Sequence, residues 1–170
     1  MKPIIILFSL LFSVTALGQS AVSPDSLLDR MTGNWILRGT IGGTETIHDV
    51  TVDWVLAHEY LQMHEVSRER DSVGRPAYEA IVFVGWNQRL GEYGCLWLDN
   101  TGVWDFSDHG IGKAKPNGYE IPFLFKGSGT DRFHTTFVYD RKNDSWKWMM
   151  DDEQHGKSEP FARVTLTRRK

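Results

Sequence analysis

The stretch VDWVLAHEYLQMHEV at residues 52–66, followed by YEAIVFVGWN at 78–87 and YGCLWLDN at 93–100, decides the fold of this chain. β-Branched and aromatic residues recur along it with a period of two, and short polar or glycine-containing breaks interrupt it. That combination predicts consecutive antiparallel strands joined by tight turns. Trp54, Trp86 and Trp97 are spaced along these strands.

Outward from this stretch the period stays at two. Gly42-Gly43, Asn87 to Gly91, Asn100 to Gly102, Asn117-Gly118, Gly127 to Gly129 and Arg141 to Asp144 supply turn chemistry. The predicted strands are 35–40, 45–56, 60–70, 78–87, 92–98, 102–109, 111–115, 118–125, 131–140, 145–152 and 161–169. About ten antiparallel strands in sequential hairpins favour an all-β, up-and-down closed barrel, because closure removes the exposed edges of an open meander. A two-sheet sandwich is the alternative. Ahead of the strands, Ser23-Pro24-Asp25 reads as a helix start, with Leu27, Leu28 and Met31 on one face of a short helix that could close one end of the barrel.

The first eighteen residues have the order of a secretory signal: Lys2, an apolar run from Ile4 to Val14, and the small-residue site Ala16-Leu17-Gly18. The apolar run is shorter than the ~20 residues of a spanning helix. The expectation is therefore export, periplasmic or secreted, with residues 19–170 forming a single domain and no membrane span left after cleavage.

A net charge of -3 with scattered Lys and Arg offers no basic stripe for phosphate backbones, so nucleic acid is not an expected partner. Cys95 is the single cysteine, which excludes an intramolecular disulfide and makes it a small buried hydrophobe on expectation.

Gly33-Asn34-Trp35 at the first strand and Leu166-Thr167-Arg168 at the last resemble the calycin superfamily of lipocalins and fatty-acid-binding proteins. In those barrels a first-strand Trp packs under a last-strand Arg, which implies a structural closure by Trp35 and Arg168. More narrowly, WVLAHEYL, the GWN turn and WLDNTG resemble a bacterial lipocalin-like family of unknown function whose members often carry a signal peptide. The family's small or glycine-rich turn before the third strand is Ala57-His58-Glu59 here. Nitrobindin-like barrels share the first-strand motif and ligate haem through a histidine near the C-terminus. The corresponding region here holds His155, in the polar segment 151–157 rather than an apolar wall, so no cofactor is expected.

The chain lacks the closely spaced ligand pairs of zinc sites, and His48, His64, His109 and His134 could meet only across neighbouring strands. No metal is expected. There is no G-x-S-x-G elbow, and the carboxylates at Asp105 and Asp108 or at Asp151, Asp152 and Glu153 read as solvated strand ends, so no catalytic residue is assigned. Seven Trp, nine Phe and five Tyr make the chain unusually aromatic. Candidate cavity-lining residues from the first strands are Trp54, Met63, His64, Tyr93 and Trp97. Later strands add Trp104, Phe106, Phe123, Phe137 and Trp148. The same side chains would equally fill a packed core.

The hairpin at Ala57-His58 separates two interiors. A two-residue turn pairs Trp54 with Leu61 and Val52 with Met63, leaving an apolar interior. A three-residue turn pairs Trp54 with Gln62 and Val52 with His64, turning Tyr60, Gln62 and His64 inward. The first avoids burying unpartnered polar groups at about 1–3 kcal/mol each. The sequence thus predicts an exported barrel that binds a small apolar molecule without catalysis. An enzyme using polar residues near His64 or Asp105, and a ligandless barrel acting through its surface, are the alternatives. Oligomeric state is not encoded in any of these features.

Overall fold

The computed structural model of the protein describes residues 24–101, 110–127 and 129–170. A short helix, α1 (Pro24–Asp29), precedes ten strands: β1 (Gly33–Ile41), β2 (Thr44–Val55), β3 (Tyr60–Ser67), β4 (Glu79–Asn87), β5 (Glu92–Asp99), β6 (Ile111–Ala114), β7 (Glu120–Lys126), β8 (Arg132–Asp140), β9 (Ser145–Gln154) and β10 (Lys157–Arg168). Each strand pairs antiparallel with its sequence neighbours, and β1 pairs with β10 to close the barrel. Each of the ten described strands therefore has two hydrogen-bonded neighbours, and none of them leaves a free edge. The predicted strand at 102–109 and the proposed cap Ser23 lie outside the described residues.

The strand limits differ from expectation mainly in the last hairpin. β9 and β10 run on to Gln154 and from Lys157, because His155 and Gly156, with φ of 52° and 75°, make a two-residue turn within the polar segment. The β10 register shifts between Pro160 and Ala162, where proline cannot donate to the ladder.

The hairpin between β2 and β3 has the first of the two registers, with Val52 opposite Met63 and Trp54 opposite Leu61. Ala57 and His58 reach it at φ of 55° and 70°, the positive values that a twisted two-residue hairpin demands. The His58 ring stacks 4.0 Å from the Trp54 indole, which holds the turn without a glycine.

α1 plugs the end of the barrel where β1 starts. Leu27, Leu28 and Met31 are buried against Trp35, Leu37 and Val52 in one continuous core. The carbonyls at the end of α1 and in the turn after it are met by side chains from the barrel. Trp35 Nε1 donates to Met31 at 2.6 Å and Trp146 Nε1 to Arg30 at 3.3 Å. Arg168 sits directly opposite Trp35 across the β1–β10 ladder, with its guanidinium 3.8 Å from the indole centroid. It donates to the carbonyls of Arg30 and Thr32 and, from Nε at 3.0 Å, to Asp144. One cation thus stacks on the barrel, ties down the helix end and pairs with the β8–β9 turn.

The Arg168 hydrogen bond first, and then the Tyr139 hydroxyl, hold the Asp144 carboxyl below its ordinary value of 3.8. A depressed native value means that the ionised group favours the fold above that ordinary value. The contribution is lost as pH falls through the lower native one. An Asp144→Asn variant is therefore expected to show a shallower loss of stability in acid than the parent below about pH 4. Urea midpoints measured across pH check this, and parallel acid limbs would count against it.

Candidate functional site

Along the inward face of β2 and β3 the side chains change character from one end of the barrel to the other. Near α1 they are Val52, Val50, Leu61 and Met63, all buried and apolar. The same alternation carried onward brings His48 and Thr46 on β2, and Glu65 and Ser67 on β3, to the opposite end. The chosen register thus leaves an apolar interior only through its lower part.

At that upper end lies a cavity of about 450 Å³. One wall is apolar, built from Ile41, Phe133, Met150 and Phe161. The other is polar, built from Thr46, His48, Glu65, Ser67, Tyr78 and Asp99, with Trp97 between them. The lower interior is closed by packed aromatics: Phe137 stacks on Trp148 at 4.5 Å, and Trp148 lies 5.5 Å from Trp97.

The polar wall is a connected network. His48 and Glu65 are 3 % and 1 % exposed, and His48 Nδ1 bonds Glu65 Oε1. A carboxylate only accepts, so Nδ1 carries the proton; in the neutral ring Nε2 then accepts from the Thr46 hydroxyl, 2.7 Å away. Tyr78 stacks on the imidazole with centroids 5.7 Å apart. Trp97 Nε1 donates to both the Tyr78 oxygen and Asp99, each at 3.2 Å. Burial first, and the nearby Glu65 and Asp99 carboxylates next, push the Tyr78 phenol well above its ordinary value, so it remains a neutral hydroxyl. Glu65 Oε2 is buried with no hydrogen-bond partner among the described residues. A buried acceptor left in that condition costs free energy on the order of 1–3 kcal/mol, more if charged.

Of the expected cavity-lining residues, Trp97 lies in the cavity wall. Tyr93, Phe123, Phe137 and Trp148 are packed in the core below it, as is Met63. Trp54 stands at the α1 end, donating to Asp29 at 2.8 Å. His64 points to the outer face, where Nε2 lies 2.7 Å from Glu79, because a one-residue step along a strand reverses the face. His134 makes a similar outer pair with Glu153 at 2.7 Å. Trp104, Phe106, Asp105 and His109 lie outside the described residues, and no group of three potential metal ligands occurs among the described ones. Cys95 is buried, and burial pushes its thiol well above the usual range, which disfavours a reactive thiolate.

Glu65, Tyr78 and Asp99 were not singled out from the sequence, although parity from the Val52–Met63 pair would have placed Glu65 inside. No known protein family matches the chain, and no curated protein matches it either.

Proposed function

We propose that the protein is an exported, calycin-like barrel that binds a small, mostly apolar molecule in the cavity at the end opposite α1, without catalysis. The observation that carries this is the cavity itself: about 450 Å³, one wall aromatic and aliphatic, the other a small set of convergent polar groups. That division of labour, an apolar surface for affinity and a few fixed polar atoms for orientation, is what small-molecule sites use. The calycin likeness adds the Trp35–Arg168 pairing and the sequential closed topology. Export rests on the leader-like residues 1–18.

Trp97 in the wall gives a direct reporter. Titrating residues 19–170 with fatty acids, retinoids, haem and small aromatic compounds is expected to give saturable tryptophan quenching with at least one class, at one molecule per chain. Failure of every class to bind would overturn the proposal. Recovery of a chain beginning at Gln19 from the exported fraction tests the leader.

The Thr46–His48–Glu65 chain favours a second reading, a hydrolase with Thr46 as nucleophile. Its hydroxyl would attack an ester carbonyl as its proton passes to His48 Nε2, with Glu65 holding the ring. His48 would then protonate the departing alcohol, and water would release the acyl group. Binding ranks first because Trp97 Nε1, an N–H donor in the cavity wall, is already engaged by the Tyr78 oxygen and Asp99 rather than free for an oxyanion. Acylation of Thr46 by an activated ester, seen by mass spectrometry and lost in His48→Ala, would establish the enzyme.

A further inference from the structure

The charges around the cavity are one-sided. Glu65, Glu69 and Asp99 line it, and no Lys or Arg does among its described lining residues. His48 is the single basic side chain among those described lining residues, and it is bonded to Glu65. With His48 neutral the described lining carries three carboxylates against no cation; with His48 protonated its balance is still negative. A buried carboxylate with one oxygen unpartnered among the described residues is a costly arrangement, and a positive donor arriving beside it removes part of that cost.

The remaining walls fit the same kind of guest. Tyr78, Trp97, Phe133 and Phe161 present aromatic surface around the carboxylates. Aromatic faces attract cations through their quadrupole, most strongly when water is excluded. An organic anion, such as a fatty-acid carboxylate, would place its charge among like charges and beside aromatic faces that repel it.

We propose that the ligand of this cavity is an organic cation: an ammonium-bearing group directed at Glu65, carried on a compact apolar or aromatic body seated against Phe133, Met150 and Phe161. It rests on the proposed function for the existence of the ligand site and adds its chemical class. The driving terms are separable. The apolar body supplies affinity by area, and the charge-assisted hydrogen bond to Glu65 supplies the choice among bodies of equal shape.

Three probes of one shape test this: 2-phenylethylamine, 2-phenylethanol and phenylacetate, titrated into residues 19–170 at neutral pH by calorimetry and tryptophan fluorescence. The amine is expected to bind at least about tenfold more tightly than phenylacetate, with the alcohol between them. Glu65→Gln is expected to lower amine affinity about tenfold while changing the alcohol by no more than about twofold. Because Glu65 is buried, its variant is accompanied by one at the exposed rim. Glu69→Lys is expected to weaken the amine and strengthen phenylacetate without disturbing the core.

Equal or tighter binding of phenylacetate overturns the cationic class and leaves the ligand site standing. So does an amine preference unmoved by both variants, or binding of other classes with none of the three probes. Failure of all compounds, including those of the broader screen, overturns the ligand site and the class together.

Discussion

Replacing His48 by leucine is expected to cost about 3–5 kcal/mol of stability at neutral pH, far more than the loss of one neutral hydrogen bond. The substitution leaves Glu65, 1 % exposed, with neither oxygen bonded to any described side chain. Removing one partner of a buried pair strands the other, and the stranded carboxylate carries most of the cost. Replacing both residues, His48→Leu with Glu65→Met, is expected to recover most of the loss or to exceed the parent, since apolar substitutes for buried pairs are often neutral or stabilising. Urea unfolding of the two single variants and the double variant at neutral pH measures this. Additive losses in the double variant would show that His48 and Glu65 are held by separate contacts.

A pair whose replacement by apolar residues leaves the barrel as stable as before has no structural reason to occupy the interior. The lower barrel shows what a purely structural filling looks like: Val50, Val52, Leu61 and Met63 on the same two strands, with α1 beneath. Polar residues at the next inward positions, ending in an acceptor with no partner among the described residues, fit the proposed binding role better than a purely structural one. Recovery of stability in the double variant together with loss of amine preference would separate the two roles within one molecule.

The parts of this arrangement that were legible in the sequence are those with a distinct residue signature. Trp35 and Arg168 stand on the first and last strands and stack as a pair of types suited to it. The Ala57-His58 register could be weighed because one alternative buried Gln62 and His64 unpaired. The mouth was harder for a specific reason. Strand faces are inferred from alternation, and at Asp49 beside His48, or His64 beside Glu65, both faces are polar. The period-two signal vanishes there, so an inward glutamate looks like any surface residue. Tyr78 added a second difficulty, since it reaches the network after a loop whose path depends on the Arg70–Pro76 bridge.

Trp148→Ala is expected to destabilise the barrel by about 3–5 kcal/mol, because it removes the largest kind of side chain from a fully packed site. Trp148 is 0 % exposed, stacks on Phe137 and donates to Thr135 Oγ1 at 2.6 Å. The stranded Thr135 hydroxyl moves the expected cost toward the upper end of that range. Trp148→Phe keeps a ring in the stack and loses the hydrogen bond, so about 1–3 kcal/mol is expected. The larger truncation also changes the interior. Trp148 stands between the Phe123–Phe137 core and the cavity walled by Trp97 and Met150, so its removal opens an apolar void beneath that wall. Apolar voids of this kind stay dry and accept benzene. Benzene is therefore expected to raise the Tm of Trp148→Ala more than that of the parent, while the amine preference set at Glu65 persists. A cost below about 1 kcal/mol, well under that of emptying a packed site, would mean that the aromatic floor collapses onto the gap, and that the upper cavity and lower core are not separated by Trp148.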